Sequence, residues 1–265
     1  MSAPGLPDLL PPVSAAAVHV RWLTLDAVAS AAWEPLASLL DDAERERASR
    51  FHFAHDRHAY IAAHALLRAM LSLKAPRPPA DWRFSTGAHG KPEVVREPDI
   101  PPLSFNLSHT RGLVAVALTL THDVGIDVEA IEPKRLSLAL AERFFAPAEV
   151  ALLRATPAEA LPEKLFAIWT LKEACIKAMG RGLSLPLDAF TLALDPLAIH
   201  FSGALDERPD HWLLRRLAPT PTHTLALAVR HPAPATVEID AAGVNASDLL
   251  ALAAQASGAG QTGRR

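Results

Sequence analysis

The sequence predicts an α+β fold built in two halves, and three observations carry that reading. Helical periodicity gives way to strand-like alternation twice along the chain, once before and once after residues 121–123. The 265 residues exceed one average domain, and 50% of them are hydrophobic, ample for a buried core. Proline-rich and glycine-containing stretches punctuate the segments between the periodic ones.

Taken in order, residues 1–17 are rich in Pro and Ala and are expected to be poorly ordered. Val18–Leu25 alternates in part and reads as a first strand. Asp41 and Asp42 are candidate caps for a charged helix carrying Glu44, Arg45, Glu46, Arg47 and Arg50. Asp56–Lys74 follows as a longer helix, with Ile61, Ala65, Leu66, Ala69 and Leu73 at helical spacing and Pro76 as its stop. A Pro-rich loop leads through Trp82–Ser85 to a turn at Gly87–Pro92. Leu103–Leu107 and Leu113–Leu120 read as the strands of a hairpin joined by Ser108–Gly112. Thr121–Asp123 then turns the chain into a strand at Val124–Glu129. Helical pieces follow over Glu132–Pro162, interrupted by Pro133, Pro147 and Pro157, and a helix at Leu165–Met179 is stopped by Gly180. Strands are expected near Phe190–Leu194, Trp212–Leu217 and Leu225–Val229. Beyond residue 233 the Ala, Gly and Ser content predicts a flexible tail with at most one loose helix around Ser247–Gln255. The expected boundaries are therefore 1–17 for the N-terminal segment, 18–122 and 123–233 for two subdomains, and 234–265 for the tail.

Composition narrows the function. A net charge of −3 and a pI near 6.5 leave no basic field to draw nucleic acid or an anionic membrane. Cys175 is the single cysteine, which excludes an internal disulfide framework and a multi-cysteine zinc site and suits a reducing compartment. No basic segment precedes an apolar run at the N-terminus, and Leu113–Leu120 is far shorter than the roughly 20 residues of a membrane helix. A soluble, cytoplasmic protein is expected.

The chemistry concentrates in two stretches. On the helix Leu165–Met179, Trp169, Glu173 and Lys177 share one stripe, while Ile168, Leu171, Cys175 and Met179 lie opposite. Along Val124–Glu129, alternation puts Asp127 and Glu129 on one face and Val124, Ile126 and Val128 on the other. On the helix alone, an ordinary surface ion pair is the simpler reading of Glu173 and Lys177. Ser108-His109 does not read as a hydrolase site, since adjacent residues seldom give nucleophile–base geometry and no Gly-x-Ser-x-Gly is present. Gly90-Lys91-Pro92 is not a phosphate-binding P-loop, because Pro92 stands where Ser or Thr is required. His52, His55, His58 and His64 share no single helical face, and without cysteines they do not point to zinc.

Val124-Gly125-Ile126-Asp127-Val128-Glu129 followed by Trp169-Thr170-Leu171-Lys172-Glu173-Ala174-Cys175-Ile176-Lys177 resembles the paired signature of the 4′-phosphopantetheinyl transferases, most closely their long, Sfp-type (surfactin-synthetase-activating) class. Arg50-Phe51, Gly90-Lys91-Pro92, Phe105-Asn106-Leu107-Ser108-His109 and Gly180–Leu187 match in the same order, so that the resemblance extends over roughly residues 40 to 190.

The resemblance implies two similar α+β subdomains related by a pseudo-twofold axis, with the active site in the cleft between them, coenzyme A binding in the first subdomain and metal and catalysis in the second. It implies transfer of the phosphopantetheine arm of coenzyme A to a serine of an apo acyl or peptidyl carrier protein, by a monomer. Asp127, Glu129 and Glu173 match the acids around Mg²⁺, a cation that prefers oxygen ligands and shares carboxylates with substrate phosphates. Glu173 is ligand, general base or both, with a metal-bound water as the alternative base, and Asp127 counts among the catalytic groups. Lys177 matches a lysine that neutralises charge on the pyrophosphate. Arg47, Arg50, Lys91, Ser108 and His109 match coenzyme A contacts, with Arg47 and His109 on the 3′-phosphate. Ala59 departs from an arginine found in several relatives, leaving Arg57 and His58 as replacements. Trp169 packs beside the site or in the core, and Lys172 is assigned a structural or solvent role. Phe144-Phe145, Lys134, Arg135 and Arg143 are candidates for carrier docking. The alternatives are a non-catalytic coenzyme A or nucleotide-binding protein and a Mg²⁺-dependent phosphohydrolase.

Overall fold

A computed structural model describes residues 17–75, 77–87, 90–120, 122–133, 135–182, 185–203 and 205–251. Eleven strands and six α-helices are named in chain order. The first stretch comprises β1 (Ala17–Thr24), α1 (Trp33–Ala37), α2 (Asp42–Ser49), α3 (Ala54–Ser72), β2 (Phe84–Thr86), β3 (Pro92–Val94), β4 (Ser104–Thr110) and β5 (Leu113–Thr119). The second comprises β6 (Asp123–Ala130), α4 (Leu138–Phe144), α5 (Pro147–Arg154), α6 (Leu161–Met179), β7 (Phe190–Leu194), β8 (Leu197–Phe201), β9 (Trp212–Thr220), β10 (His223–Arg230) and β11 (Glu238–Val244). The α+β class expected from the sequence is the class observed.

Two compact units divide the chain. Among the described residues, one consists of 17–87, 92–120 and 238–251, and the other of 90–91 and 122–237. In the first unit a sheet of order β11-β1-β5-β4 carries α3. The core beneath α3 gathers Leu66, Leu67, Met70 and Leu71 with Val114, Val116 and Leu118. Trp82, wholly buried, donates its indole N–H to Ser72 Oγ at 2.9 Å, so that its polar edge is satisfied inside this core. In the second unit a sheet of order β6-β10-β9 carries α6. The β7–β8 hairpin packs with the C-terminal half of α6, and α4 and α5 pack with its N-terminal half.

Four expectations are corrected. The hairpin loop is shorter than expected: β4 runs on to Thr110, because Ser108 and Thr110 continue the buried alternation and only Gly112, at φ 82°, needs the left-handed region. Pro147 starts a helix rather than breaking one, since the first-turn position has no hydrogen bond for proline to remove. The supposed tail does not begin at residue 234. Glu238–Val244 pair in parallel with β1, Val18 facing Ile239 and His19 facing Asp240, and residues 246–251 are helical with Leu249 in the core. Ala17, placed in the poorly ordered segment by composition, is a buried residue of β1; residues 1–16 and 252–265, also covered by those expectations, lie outside the described residues. β8 was not anticipated, although Leu197-Ala198-Ile199-His200-Phe201 alternates after an Asp195-Pro196 turn.

What seats β11 is charge as well as backbone pairing. Arg21 and His19 are almost wholly buried, and both reach Asp240 Oδ2, Arg21 Nη2 at 2.7 Å and His19 Nδ1 at 2.8 Å. Lys74 stands beside them, 3.4 Å from His19 Nε2, and burial together with Arg21 pulls its ammonium pKa down to about 8 against the opposing pull of Asp240. Removing the one acid of this group leaves buried cations facing each other. Asp240→Ala is expected to lower unfolding stability by about 3 kcal/mol in urea titrations, whereas a substitution at exposed Asp206 stays within about 0.5 kcal/mol.

Candidate active site

β6 and α6 build the site through one close approach. A Cβ added to Gly125 would lie 2.0 Å from the carbonyl oxygen of Ala174 and 2.4 Å from the amide nitrogen of Ala178. Glycine on the strand and alanines on the helix therefore let the two backbones come into near contact. Strand alternation places Asp127 on the same side as Gly125, toward α6. One helical turn separates Glu173 from Lys177, which fits both to that side chain.

The ammonium of Lys177 donates to Asp127 Oδ1 at 2.6 Å and to the Ile126 carbonyl at 3.1 Å. Asp127 is 5% exposed, so this pair is largely removed from water. Lys91 donates to the Val124 carbonyl at 3.0 Å and to the Lys177 carbonyl at 2.9 Å, fastening the end of α6 to the strand. That end is the last turn of a helix closed by Gly180 at φ 66°, where a cation is favoured by the helix dipole. Glu173 is half-buried, and its carboxyl pKa is raised, first by burial and then by the negative charges of Asp127 and Glu129, against the opposing pull of Lys177. Glu129 accepts from Arg135 at 3.1 Å.

The donor chemistry of Asp127, Glu129 and Glu173 is oxygen alone, the kind a hard divalent cation takes, with Lys177 beside Asp127 and Glu173 and Arg135 on Glu129. Among the described residues no three His, Cys, Asp or Glu side chains stand close enough together to hold an ion directly. What joins the acids is a shared electrostatic field, with Asp127 and Glu129 each engaged by a protein cation.

The remaining expected residues fall into place around these. Lys172 is fully buried and structural: it pairs with fully buried Glu149 at 2.9 Å and donates to the Leu187 and Phe190 carbonyls at 2.6 and 2.8 Å. Glu149 also accepts from the Leu192 and Ala146 amides, so every charge in this knot is answered. Trp169 is partly buried against Phe145, their rings 6.3 Å apart, and belongs to the packing of α4–α6. Cys175 is wholly buried, and its thiol pKa is pushed up by that burial, which rules against a nucleophile.

Arg47, Arg50, Ser108 and His109 belong to the other unit. Arg47 and Arg50 are exposed on α2, Arg47 over the ring of Tyr60 at 5.5 Å and Arg50 paired with Glu46. Ser108 is buried and His109 exposed, on opposite faces of β4. His58 stacks on Trp33 at 3.9 Å, and burial and Arg57 lower its pKa, so Arg57 is the cation of that pair at neutral pH. Arg143 lies 5.1 Å over exposed Phe144, while Lys134 and Ser184 fall outside the described residues. Sequence reasoning missed Gly125, Glu149 and the backbone contacts of Lys91; a glycine two residues before the acid of a strand was the one visible signal. Because a carboxyl with a raised folded-state pKa opposes folding once it is ionised, Glu173→Gln is expected to melt a few degrees above wild type at neutral pH in the presence of a chelator. The gain should shrink as pH falls and wild-type Glu173 takes up its proton.

The family model "4′-phosphopantetheinyl transferase superfamily" matches residues 123–229, and "4′-phosphopantetheinyl transferase, N-terminal" matches residues 27–121. The 4′-phosphopantetheinyl transferase Sfp of Bacillus subtilis is 32% identical over 203 residues, covering 75% of this chain and 86% of its own. HetI of a Nostoc species, also named a 4′-phosphopantetheinyl transferase, is 34% identical over 212 residues, covering 80% and 87%. The 4′-phosphopantetheinyl transferase psf-1 of Bacillus pumilus is 35% identical over 205 residues, covering 76% and 84%. With both family models in sequence order and relatives matched over most of their length, this chain belongs to the 4′-phosphopantetheinyl transferase superfamily, in its long, Sfp-type class.

Proposed function

We propose that the protein transfers the 4′-phosphopantetheine arm of coenzyme A to a serine of an apo acyl or peptidyl carrier protein, giving holo-carrier and 3′,5′-ADP. The observation that carries this reading is the arrangement of Asp127, Lys177 and Glu173 on β6 and α6: an acid already neutralised by a lysine beside a carboxyl whose pKa is raised. Such a set supplies a proton acceptor and a phosphate-facing cation within one helical turn.

In the reaction the serine oxygen forms a bond to the phosphorus that carries the pantetheine arm. The bond from that phosphorus to the bridging oxygen breaks, and 3′,5′-ADP leaves with the electron pair. Glu173, half-buried and one helical turn from Lys177, takes the serine proton. Lys177 meets the negative charge that grows on the leaving diphosphate oxygen. Since among the described residues no three such side chains stand close enough to hold an ion on their own, Asp127, Glu129 and Glu173 would hold Mg²⁺ together with substrate phosphate oxygens, and the cation would neutralise the diphosphate against these acids. Coenzyme A contacts are assigned to Arg47, Arg50, Lys91, Ser108, His109 and Lys177, with Arg47 on the 3′-phosphate. Arg143 with exposed Phe144 offers a cationic and apolar surface to an acidic carrier helix, and Arg135 joins it once released from Glu129. A cytoplasmic monomer fits the single buried cysteine, and no described helix is long and apolar enough to cross a membrane.

Incubation with coenzyme A, Mg²⁺ and an apo carrier should add the mass of the arm to the carrier serine; release of the free arm to water instead would mark a hydrolase. Asp127→Asn is expected to abolish transfer while retaining the wild-type circular dichroism. Mg²⁺ at saturating concentration should raise the melting temperature of wild type and not of Asp127→Asn, since only a ligand that binds the folded state stabilises it. An equal rise in both would remove Asp127 from the metal site.

A further inference from the structure

α2 is a helix almost without a hydrophobic face. Within Asp42–Ser49 only Glu44 and Ala48 are buried, so apolar burial amounts to one alanine and cannot fix the orientation of the helix. The hold comes from Arg68 of α3, whose side chain is wholly excluded from solvent. Its Nε donates to Glu44 Oε2 at 2.6 Å and its Nη2 to Asp41 Oδ2 at 2.7 Å. Its Nη1 is anchored to the Pro79 and Trp82 carbonyls at 2.7 and 3.2 Å, and the guanidinium lies 5.1 Å from the Phe84 ring. Asp41 is also the N-cap of α2, accepting from the Glu44 amide at 2.9 Å, and Glu44 Oε1 is bonded to His64 Nδ1 at 2.7 Å.

The cap and the first turn of α2 thus both hang on one planar, immobilised fork. Two acids held by one guanidinium fix both where the helix starts and how far it is rotated about its axis. That rotation buries Glu44 and Ala48 and leaves Arg45, Arg47 and Arg50 outward. Arg47 then rests over Tyr60, the same α3 residue whose ring meets His64 at 4.1 Å, so the basic face is referenced to α3 at a second point.

We infer that Arg68, acting through Glu44 and Asp41, is a positioning residue that aims the α2 arginines at the 3′-phosphate of coenzyme A. The inference rests on the assignment of α2 to that phosphate made above. Arg68 touches no substrate; its donors are turned to protein acceptors inside the unit. A phosphate read by arginine geometry is sensitive to where the guanidinium stands, and α2 has no apolar seat to restore its orientation once the fork is loosened.

The test compares initial rates with coenzyme A and with 3′-dephospho-coenzyme A for wild type, Arg47→Ala, Glu44→Gln and Arg68→Lys, each checked for folding by its melting curve. Glu44→Gln and Arg68→Lys are expected to raise KM for coenzyme A about tenfold, a loss of about one charge-assisted hydrogen bond. KM for 3′-dephospho-coenzyme A and kcat with either substrate should stay at wild-type values. If Arg68→Lys does not fold, the isosteric Glu44→Gln carries the comparison alone. Equal changes with both substrates, a fall in kcat, or no change at all in a folded variant would overturn the positioning role. Should Arg47→Ala keep the wild-type preference for coenzyme A over its dephospho form, the phosphate assignment of α2 falls, and the inference with it; loss of preference in Arg47→Ala but not in Glu44→Gln sinks the inference only.

Discussion

The near contact of α6 with β6 at Gly125 is the constraint on which the second unit is built. A methyl group at that position would collide with helix backbone, not with the movable end of a side chain, so the strand and helix could not both stay where they are. From that contact the rest follows by periodicity. Two residues along the strand comes Asp127, and the turns of the helix beside it bring Glu173 and Lys177. Lys91 and Lys177 then bridge helix and strand at the same end, Lys91 to two backbone carbonyls and Lys177 to a carbonyl and a carboxylate.

The two units treat buried charge in the same way away from the site and differently within it. Arg68 with Asp41 and Glu44, Arg21 with Asp240, and Lys172 with Glu149 are ion pairs in which the donors are met by acceptors. Such knots add little to stability compared with well-packed hydrocarbon, but they fix geometry and are expensive to break from one side. Glu173 is the contrast. Burial and the charges of Asp127 and Glu129 push its ionised form up in energy, and Lys177 offsets them only in part. A carboxyl kept in that condition is poised for a proton or a cation.

Much of this was legible in the sequence because it depends on local period. Alternation in Val124–Glu129 put Asp127 and Glu129 on one face, and helical spacing put Glu173 and Lys177 on one stripe, as found. The Asp41 cap was legible for the same reason, since a cap acts within one turn. What was not legible depends on partners far away in the chain. Nothing near Arg68 says that it is buried, because its acids lie 24 and 27 residues earlier. Nothing in Glu238–Val244 marks it as a strand of the first sheet, because alanine-rich, glycine-containing segments have weak strand propensity and gain their conformation from the edge they join. Lys172 read as structural or solvent-facing, and only its pairing with Glu149 of α5 decides for the structural role.

The parallel pairing of β11 with β1 has a consequence for biosynthesis. His19 and Asp240 are 221 positions apart, and everything from 122 to 237 lies between the two pieces of the first unit. The inserted unit is nearly continuous in sequence and can reach its native contacts as soon as it clears the ribosome, whereas β1 must wait for a mate translated some 200 residues later. Closing so long a loop costs entropy, so the pairing of β11 with β1 is expected to come late in folding. Until then β1 has an open edge, and the buried side chains of His19 and Arg21 lack Asp240. A nascent chain is therefore expected to leave the β1 edge open until Glu238–Val244 is available to pair with it.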